Sequence, residues 1–309
     1  MVVVAGEALF DLFVAAQTRD GLTLDARLGG SPYNVAVGLA RLAQPVAFLA
    51  GIGRGPLGDR LMRALTAEGV DTRCIQRVVA PTTLGLVGLD DAGVPEYAFY
   101  GEGGADRQLR PEALAQWPAA AVALHVGSFA TVVEPIASTL RMLIAREHAQ
   151  RVIAYDPNVR LNVEPDLLRW RAQVEWMLAC THILKISAED CELLFPGQAA
   201  ADLAARWRRA GVAVVVLTRG GDGADAWCAG GHVFVPSVPV IVVDTVGAGD
   251  TFQAALITWF AEHDQLSPTA LATLDTAALR SALGFAAAAA AITCSRRGAD
   301  LPRRSELPR

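Results

Sequence analysis

The chain has 309 residues, 52% of them apolar and 19% charged, with a formal net charge of −5. This composition excludes general disorder and allows one large α/β domain with an insertion, or two domains. The acidic balance lacks the basic excess that nucleic-acid binding needs, and the 11-residue apolar run 282–292 falls short of the about 20 residues that cross a bilayer.

In chain order, Val2-Val3-Val4-Ala5 reads as a buried first strand and not as a signal peptide, because no basic region precedes it and Glu7 interrupts the run. Residues 9–28 read as a hairpin around the polar 17–21 turn. Helical spacing predicts helices over 34–42, 57–68, 136–148, 167–179 and 200–210, and the alanine-rich 286–291 stretch also reads as helix. Strands are expected at 46–50, 122–126, 152–155, 182–186, 212–217 and 238–243. A second hairpin is expected within 82–100, turning at Asp90-Asp91-Ala92-Gly93. Buried strands alternating with helices predict an α/β fold, a doubly wound and mostly parallel sheet. The two hairpins predict a small antiparallel sheet inserted in two pieces, and the tail after Gly298 reads as a surface strap.

The five cysteines, Cys74, Cys180, Cys191, Cys228 and Cys294, are scattered and include no Cys-x-x-Cys pair. That pattern predicts reduced thiols, a cytoplasmic setting and no structural zinc. Lys185 is the single lysine beside 26 arginines, and it lies outside any glycine-rich loop. P-loop phosphate chemistry, which needs Gly-Lys-Ser/Thr, is therefore excluded.

The chemistry concentrates in Val242-Val243-Asp244-Thr245-Val246-Gly247-Ala248-Gly249-Asp250-Thr251-Phe252. An apolar run enters a small-residue turn, and a helix follows with Phe252, Leu256 and Phe260 on one face. Bare amides at a helix N-terminus favour an anion such as phosphate. Asp250 at the mouth of that site fits a general base that takes a proton from an alcohol, with Gly247, Ala248 and Gly249 forming the anion hole. Taken alone, the segment also fits a helix cap following a tight turn.

This segment resembles the C-terminal signature of the PfkB/ribokinase-like carbohydrate kinases. Gly29-Gly30-Ser31-Pro32-Tyr33-Asn34-Val35-Ala36 is similar to that family's other signature. Further similarities are Gly6-Glu7-Ala8-Leu9-Phe10-Asp11, Asp156-Pro157-Asn158-Val159-Arg160 and Leu217-Thr218-Arg219-Gly220-Gly221-Asp222-Gly223. The match runs over about residues 3–302, and the opening motif with Asp-Pro-Asn-x-Arg points to the fructokinase and 2-keto-3-deoxygluconate kinase side of the family. The resemblance implies one ribokinase-like domain over 1–309 with a β lid formed by about 9–28 and 82–105. It implies ATP and Mg²⁺ as cofactors, with K⁺ possible, and a sugar phosphorylated at a primary hydroxyl. Sugar contacts fall on Asp11, Gly29, Gly30 and Asn34, with Arg160 near the transferring phosphate. The nucleotide side falls on Lys185, Ser187, Thr218, Gly220 and Gly223, and Asp244 and Val246 would hold a monovalent cation. In place of the family's Asn-x-x-Glu stands Ser187-Ala188-Glu189-Asp190, so Asp190 is the candidate for a magnesium water and Glu189 competes with it. The resemblance also implies a homodimer through the β lid.

The lid aromatics Phe99-Tyr100 are followed by Gly101-Glu102 with no cation, which favours fructose over an anionic sugar acid. Gly53-Arg54-Gly55-Pro56-Leu57-Gly58 matches the dinucleotide pattern Gly-x-Gly-x-x-Gly, the basis of a competing nicotinamide-dependent oxidoreductase reading. Against it, Pro56 lies inside the turn and no acidic residue closes a second strand about 20 residues on. A non-catalytic sugar-binding regulator is the other rival, and the intact Asp250 with its Gly-Ala-Gly turn argues against it.

Overall fold

The β-branched runs fold as strands and the helically spaced segments as helices in the computed structural model, which describes residues 1–89 and 95–308. The turn expected at 90–93 lies outside the described residues. Strand β1 (Val2–Ala5) leads into β2 (Leu9–Thr18), β3 (Gly21–Gly29) and helix α1 (Ser31–Arg41). Next come β4 (Val46–Leu49), β5 (Gly51–Gly53), α2 (Pro56–Ala67), β6 (Gln76–Val78), β7 (Leu84–Leu89) and β8 (Pro95–Tyr100). The middle of the chain alternates β9 (Ala123–Gly127), α3 (Ile136–Glu147), β10 (Val152–Asp156), α4 (Leu167–Leu178), β11 (Ile183–Ser187), α5 (Ala188–Leu194), α6 (Ala200–Arg209) and β12 (Val214–Thr218). Strands β13 (Ala224–Cys228) and β14 (Gly231–Val235) precede α7 (Ala248–Glu262), α8 (Pro268–Ala272) and α9 (Thr276–Cys294).

The main sheet has the order β14-β13-β12-β11-β10-β9-β1-β4. Its strands from β12 to β4 run parallel, and β13 and β14 close one edge antiparallel. Successive strand side chains point to opposite faces, and this divides the core in two. Val2 and Val4 join α1, α2, α7 and α9, whereas Val3 and Ala5 join α3, α4 and α6. Both faces are thus covered by helices, which is why the strands read as continuous apolar runs.

The second sheet has the order β3-β2-β7-β8. It is mixed and not purely antiparallel, because β7 pairs parallel with β2, placing Gly85 beside Asp11. The chain leaves β3 into the main domain and returns along β2 in the same direction. Residues 238–243 form no strand, which corrects the sequence expectation. Pro236 and Pro239 remove ladder donors, and the segment is tied instead to the end of α9, where the amides of Val243 and Asp244 donate to the Cys294 carbonyl.

Two further expectations change. Helix α9, with 19 residues, is long and apolar enough as a whole to cross a bilayer by length and composition; in this fold it packs along α7, β13 and β14. The tail after Gly298 is a surface strap only in part: Arg303, Ser305, Glu306 and Pro308 are exposed, while Leu301 is buried and its carbonyl accepts from Arg41 Nη1 at 2.8 Å.

Helices α1 and α7 cross where Gly38 meets Ala254. A Cβ placed on Gly38 would lie 2.8 Å from the Ala254 Cβ and 2.6 Å from Leu301 Cδ2. Gly38→Val is therefore expected to destabilise the fold by about 1–3 kcal/mol through overpacking, read as a lowered midpoint in denaturant unfolding.

Candidate active site

The parallel strands end along one edge of the sheet, where register aligns Gly127 with Asp156 and Ser187 with Thr218. Strand order reverses between β1 and β9, and crevices at such a switch point, beyond the carboxyl ends of the strands, are where open α/β sheets bind ligands. A cavity of about 480 Å³ opens there, bounded by the ends of α1 and α7, by Asp11 of β2 and by Lys185 of β11.

Helix α7 begins behind Gly247, whose φ of 78° is left-handed and whose Cβ would lie 2.6 Å from that of Ala299. Only glycine meets both demands without strain. The Ala248 amide closes the turn onto the Thr245 carbonyl at 3.2 Å, so this member of the expected anion hole is engaged. Among the described residues, the amides of Gly247, Gly249 and Asp250 find no protein acceptor, and all three residues line the cavity. Open amides at the positive end of a helix can take an anion.

Asp250 does not cap α7, which has no side-chain cap bond. Its carboxylate reaches across to α1, accepting from Ser31 Oγ at 2.6 Å and from Asn34 Nδ2 at 2.8 Å. Ser31 and Asn34 share a face because they are three residues apart on a helix. Burial pushes the Asp250 pKa above the usual carboxylate range, while Ser31, Asn34 and the charge of Lys185 hold it back. The result is an oriented base next to open amides, a pairing that can accept a hydroxyl proton while holding an anion.

Asp11 stands at the lid side of the cavity. A Cβ on Gly29 would lie 2.3 Å from Asp11 Oδ2, and one on Gly85 would lie 3.0 Å from Oδ1, so glycines on both neighbouring strands make room for this carboxylate. Burial raises its pKa to about 6, with Arg160 opposing and Asp250 adding to the rise. Arg160 is exposed, donates to the Val159 carbonyl at 2.9 Å and lines the cavity.

Lys185 neither snorkels nor stays free. It is 4% exposed and its ammonium donates to Asp156 Oδ2 at 2.6 Å. Burial alone would lower its pKa, but the Asp156 carboxylate beside it reverses that and holds it protonated. Asp190 lies next to this pair, with its Oδ1 accepting from the Val159 amide at 3.2 Å, and burial raises its pKa to about 6. Glu189, its competitor, points into solvent. Ser187 caps α5 by accepting from the Asp190 amide at 3.0 Å. Thr218, Gly220 and Gly223 line no part of the cavity; they lie at and beyond the end of β12, on the same sheet edge as Ser187. Asp244 ties the approach loop to the tail, accepting from the amides of Val246 at 3.0 Å and Gly298 at 2.7 Å.

Ser31, Glu7, Ser128, Asn158 and Asn162 line the cavity and escaped sequence reasoning as site residues, as did Asp156, the partner of Lys185. Ser31 and Asp156 sat inside motifs already quoted, and the Ser31/Asn34 helical spacing was the available signal. Glu7 lay within the family-like Gly6–Asp11 motif but carried no assigned role, and Ser128 had no signal. The Gly53–Gly58 turn does join a strand to a helix, but β5 pairs only with β6, away from the main sheet.

A family model described as "pfkB family carbohydrate kinase" matches residues 1–306. The chain is 37% identical over 281 residues to a fructokinase of Rhizobium leguminosarum bv. trifolii, covering 91% of this chain and 86% of that protein. It is 32% identical over 311 residues to a fructokinase of Klebsiella pneumoniae, covering 99% and 97%. Among solved structures, a fructokinase with bound ATP from Xylella fastidiosa matches with a TM-score of 0.88 at 27% identity, covering 99% of this chain and 96% of that one. A fructokinase from Vibrio cholerae O395 in fructose, ADP and calcium ion bound form matches with a TM-score of 0.79 at 25% identity, covering 96% and 94%.

Because Lys185 and Asp156 are each buried against the other, Lys185→Met is expected to cost about 3–5 kcal/mol by stranding a carboxylate. Adding Asp156→Asn to it restores part of that loss, as denaturant unfolding of the three proteins would register.

Proposed function

The chain belongs to the pfkB family of carbohydrate kinases, and from that premise we propose that it phosphorylates fructose at a primary hydroxyl, with ATP as the donor and Asp250 as the base. The carrying observation is the position of Asp250, 9% exposed on the cavity wall beside the open amides of Gly247 and Gly249. In the transfer, the sugar oxygen forms its bond to the γ-phosphorus as the bond from that phosphorus to the β,γ-bridging oxygen breaks. The hydroxyl proton passes to Asp250, and ADP departs. The protein's part is positioning and charge stabilisation. Asp11, Gly29, Gly30 and Asn34 surround the sugar, Arg160 faces the transferring phosphoryl group, and the α7 amides take its charge. No cation follows Phe99-Tyr100 in the chain, where Gly101-Glu102 stands, and this favours a neutral ketose over 2-keto-3-deoxygluconate.

The nucleotide falls on the Ser187/Thr218 edge with Gly220 and Gly223, and Lys185 beneath it. The segment that ends in the α7 amides begins in an apolar cleft lined by Val238, Val240, Ala288 and Ile292, a surface suited to a nucleoside base. This accounts for the exposed Val238 and Val240 as a wall rather than a strand. Oxygen ligands suit a hard divalent cation, and Asp156 Oδ1 is buried without a partner near Asp190. Asp190 and Asp156 would hold Mg²⁺ there, directly or through water, and the ion would supply charge neutralisation. The backbone carbonyls of Asp244 and Val246 accept no hydrogen bond among the described residues, so they fit the proposed monovalent cation, K⁺.

The lid supports a homodimer. Residues 14–18 of β2 are all exposed, so neither face of this end of the sheet is covered, and Leu22 and Leu24 of β3 are exposed beside them. A second copy laid across it would bury this apolar surface; light scattering is expected to give twice the chain mass, and a monomer mass would remove the dimer. All five cysteines are unpaired, in keeping with a cytoplasmic setting.

Asp250→Ala is expected to slow fructose-dependent ADP release by about 10²–10⁴-fold while fructose still binds by calorimetry. An unaltered rate would take Asp250 out of the reaction.

A further inference from the structure

We propose that Glu7 is a sugar-specificity residue whose carboxyl hydrogen-bonds a fructose hydroxyl other than the one phosphorylated. The proposal rests on the fructose reading above and deepens it.

Glu7 follows β1 and Ser128 follows β9, and register makes Ala5 and Val126, two residues before each, direct neighbours. The two side chains therefore sit together at the point where strand order reverses, on the floor of the cavity that both line. Glu7 is 1% exposed, and its Oε2 has no hydrogen-bond partner. A buried unpartnered oxygen is destabilising, and an apolar residue would fill the same space without that penalty. The local backbone is shaped around this group. Gly30 takes a φ of 103°, and a Cβ there would lie 2.8 Å from the Glu7 carbonyl. Ser128, which is not glycine, takes a left-handed φ of 55°, a strained choice of the kind found at ligand sites.

A sugar hydroxyl both donates and accepts; Asn158, Arg160 and Asn162 line the cavity as donors, and the group offered beside Ser128 at the switch point is the Glu7 carboxyl. Ser31 and Asn34 already donate to Asp250, and Lys185 donates to Asp156. Asp11 and Asp250, when ionised, only accept. Burial raises the Glu7 pKa to about 8, the Asp106 carboxylate adds to the rise, and its own amide, Ser128 and Arg160 oppose it. At neutral pH the carboxyl is therefore protonated and offers a donor and an acceptor together. Asp106 and Arg160 are the charged groups acting on it, with Asp11, Asp250 and Lys185 also lining or reaching the cavity.

The test compares wild type, Glu7→Ala and Glu7→Gln for kcat and KM on fructose and on a set of monodeoxyfructoses, with thermal melts confirming that each protein folds. Glu7→Ala is expected to raise the fructose KM about tenfold, the worth of one hydrogen bond lost to a buried partner, with kcat little changed. One monodeoxyfructose should carry the same penalty for wild type and no added penalty for Glu7→Ala, the signature of a direct pair. Glu7→Gln keeps a donor and an acceptor, and it should recover most of the affinity. As pH rises through about 8 the wild-type carboxyl ionises and the donor is lost, so wild-type KM should climb relative to that of Glu7→Gln. Equal penalties for every analogue in wild type and variants, or a pH-independent ratio of the two KM values, would overturn the proposal. Should Glu7→Ala not fold, the analogue and pH comparisons with Glu7→Gln decide the matter alone. A wild-type enzyme that releases no ADP with fructose is a different result, and it defeats the fructose reading itself.

Discussion

Two hydrogen bonds join the halves of this molecule where its chemistry lies. Ser31 and Asn34, 219 and 216 residues before Asp250, both donate to its carboxylate. They reach it because α1 and α7 cross through Gly38 and Ala254, which bring the two backbones close. Both helices also begin at the cavity, so the contact that orients the base sets the open α7 amides beside it. Without those donors the carboxylate would be a buried charge with only Lys185 to favour it, and it would hold its proton instead of taking one.

The remaining electrostatics follow from an excess of acids around a single ammonium. Asp11, Asp156, Asp190, Asp250 and Glu7 gather at the carboxyl ends of the strands, and burial raises the pKa of Asp11, Asp190, Asp250 and Glu7. Lys185 is taken up by Asp156, which leaves Arg160 as the cation lining the wall. An acidic wall repels phosphate oxygens unless a cation intervenes, and oxygen-rich clusters are the ligands a hard divalent ion prefers. In the proposed reaction the backbone amides receive charge, and the side-chain acids take protons, hold metal or read hydroxyls.

Particular residues show why some of this was readable in advance. Gly247 and Gly249 before an acid at the start of a helix carry their meaning locally, because backbone conformation and helix polarity act over a few residues. The strands at 2–5, 152–155 and 182–186 were legible for the same kind of reason, as continuous β-branched runs. The run 238–243 has that pattern too and forms no strand, since pairing requires a neighbour and prolines remove the donors. Lys185 was expected near the nucleotide, and its capture by Asp156 depends on register between β10 and β11, which local pattern does not encode. Glu7 looked like a break in a strand, whereas it occupies the crevice between two strands that are over a hundred residues apart in sequence.

The sequence by itself determined most of the alternating strands and helices, the doubly covered sheet and the glycine turn with its acid at the start of a helix, because periodicity, glycine placement and helix polarity are short-range properties. Tertiary structure alone decided which donors hold that acid, which carboxylate neutralises the one lysine, and which buried carboxyl is left unpaired to face a ligand. Those outcomes depend on packing between distant segments, and in a low-dielectric interior a shift of a few ångströms decides whether a charge is paired, protonated or exposed.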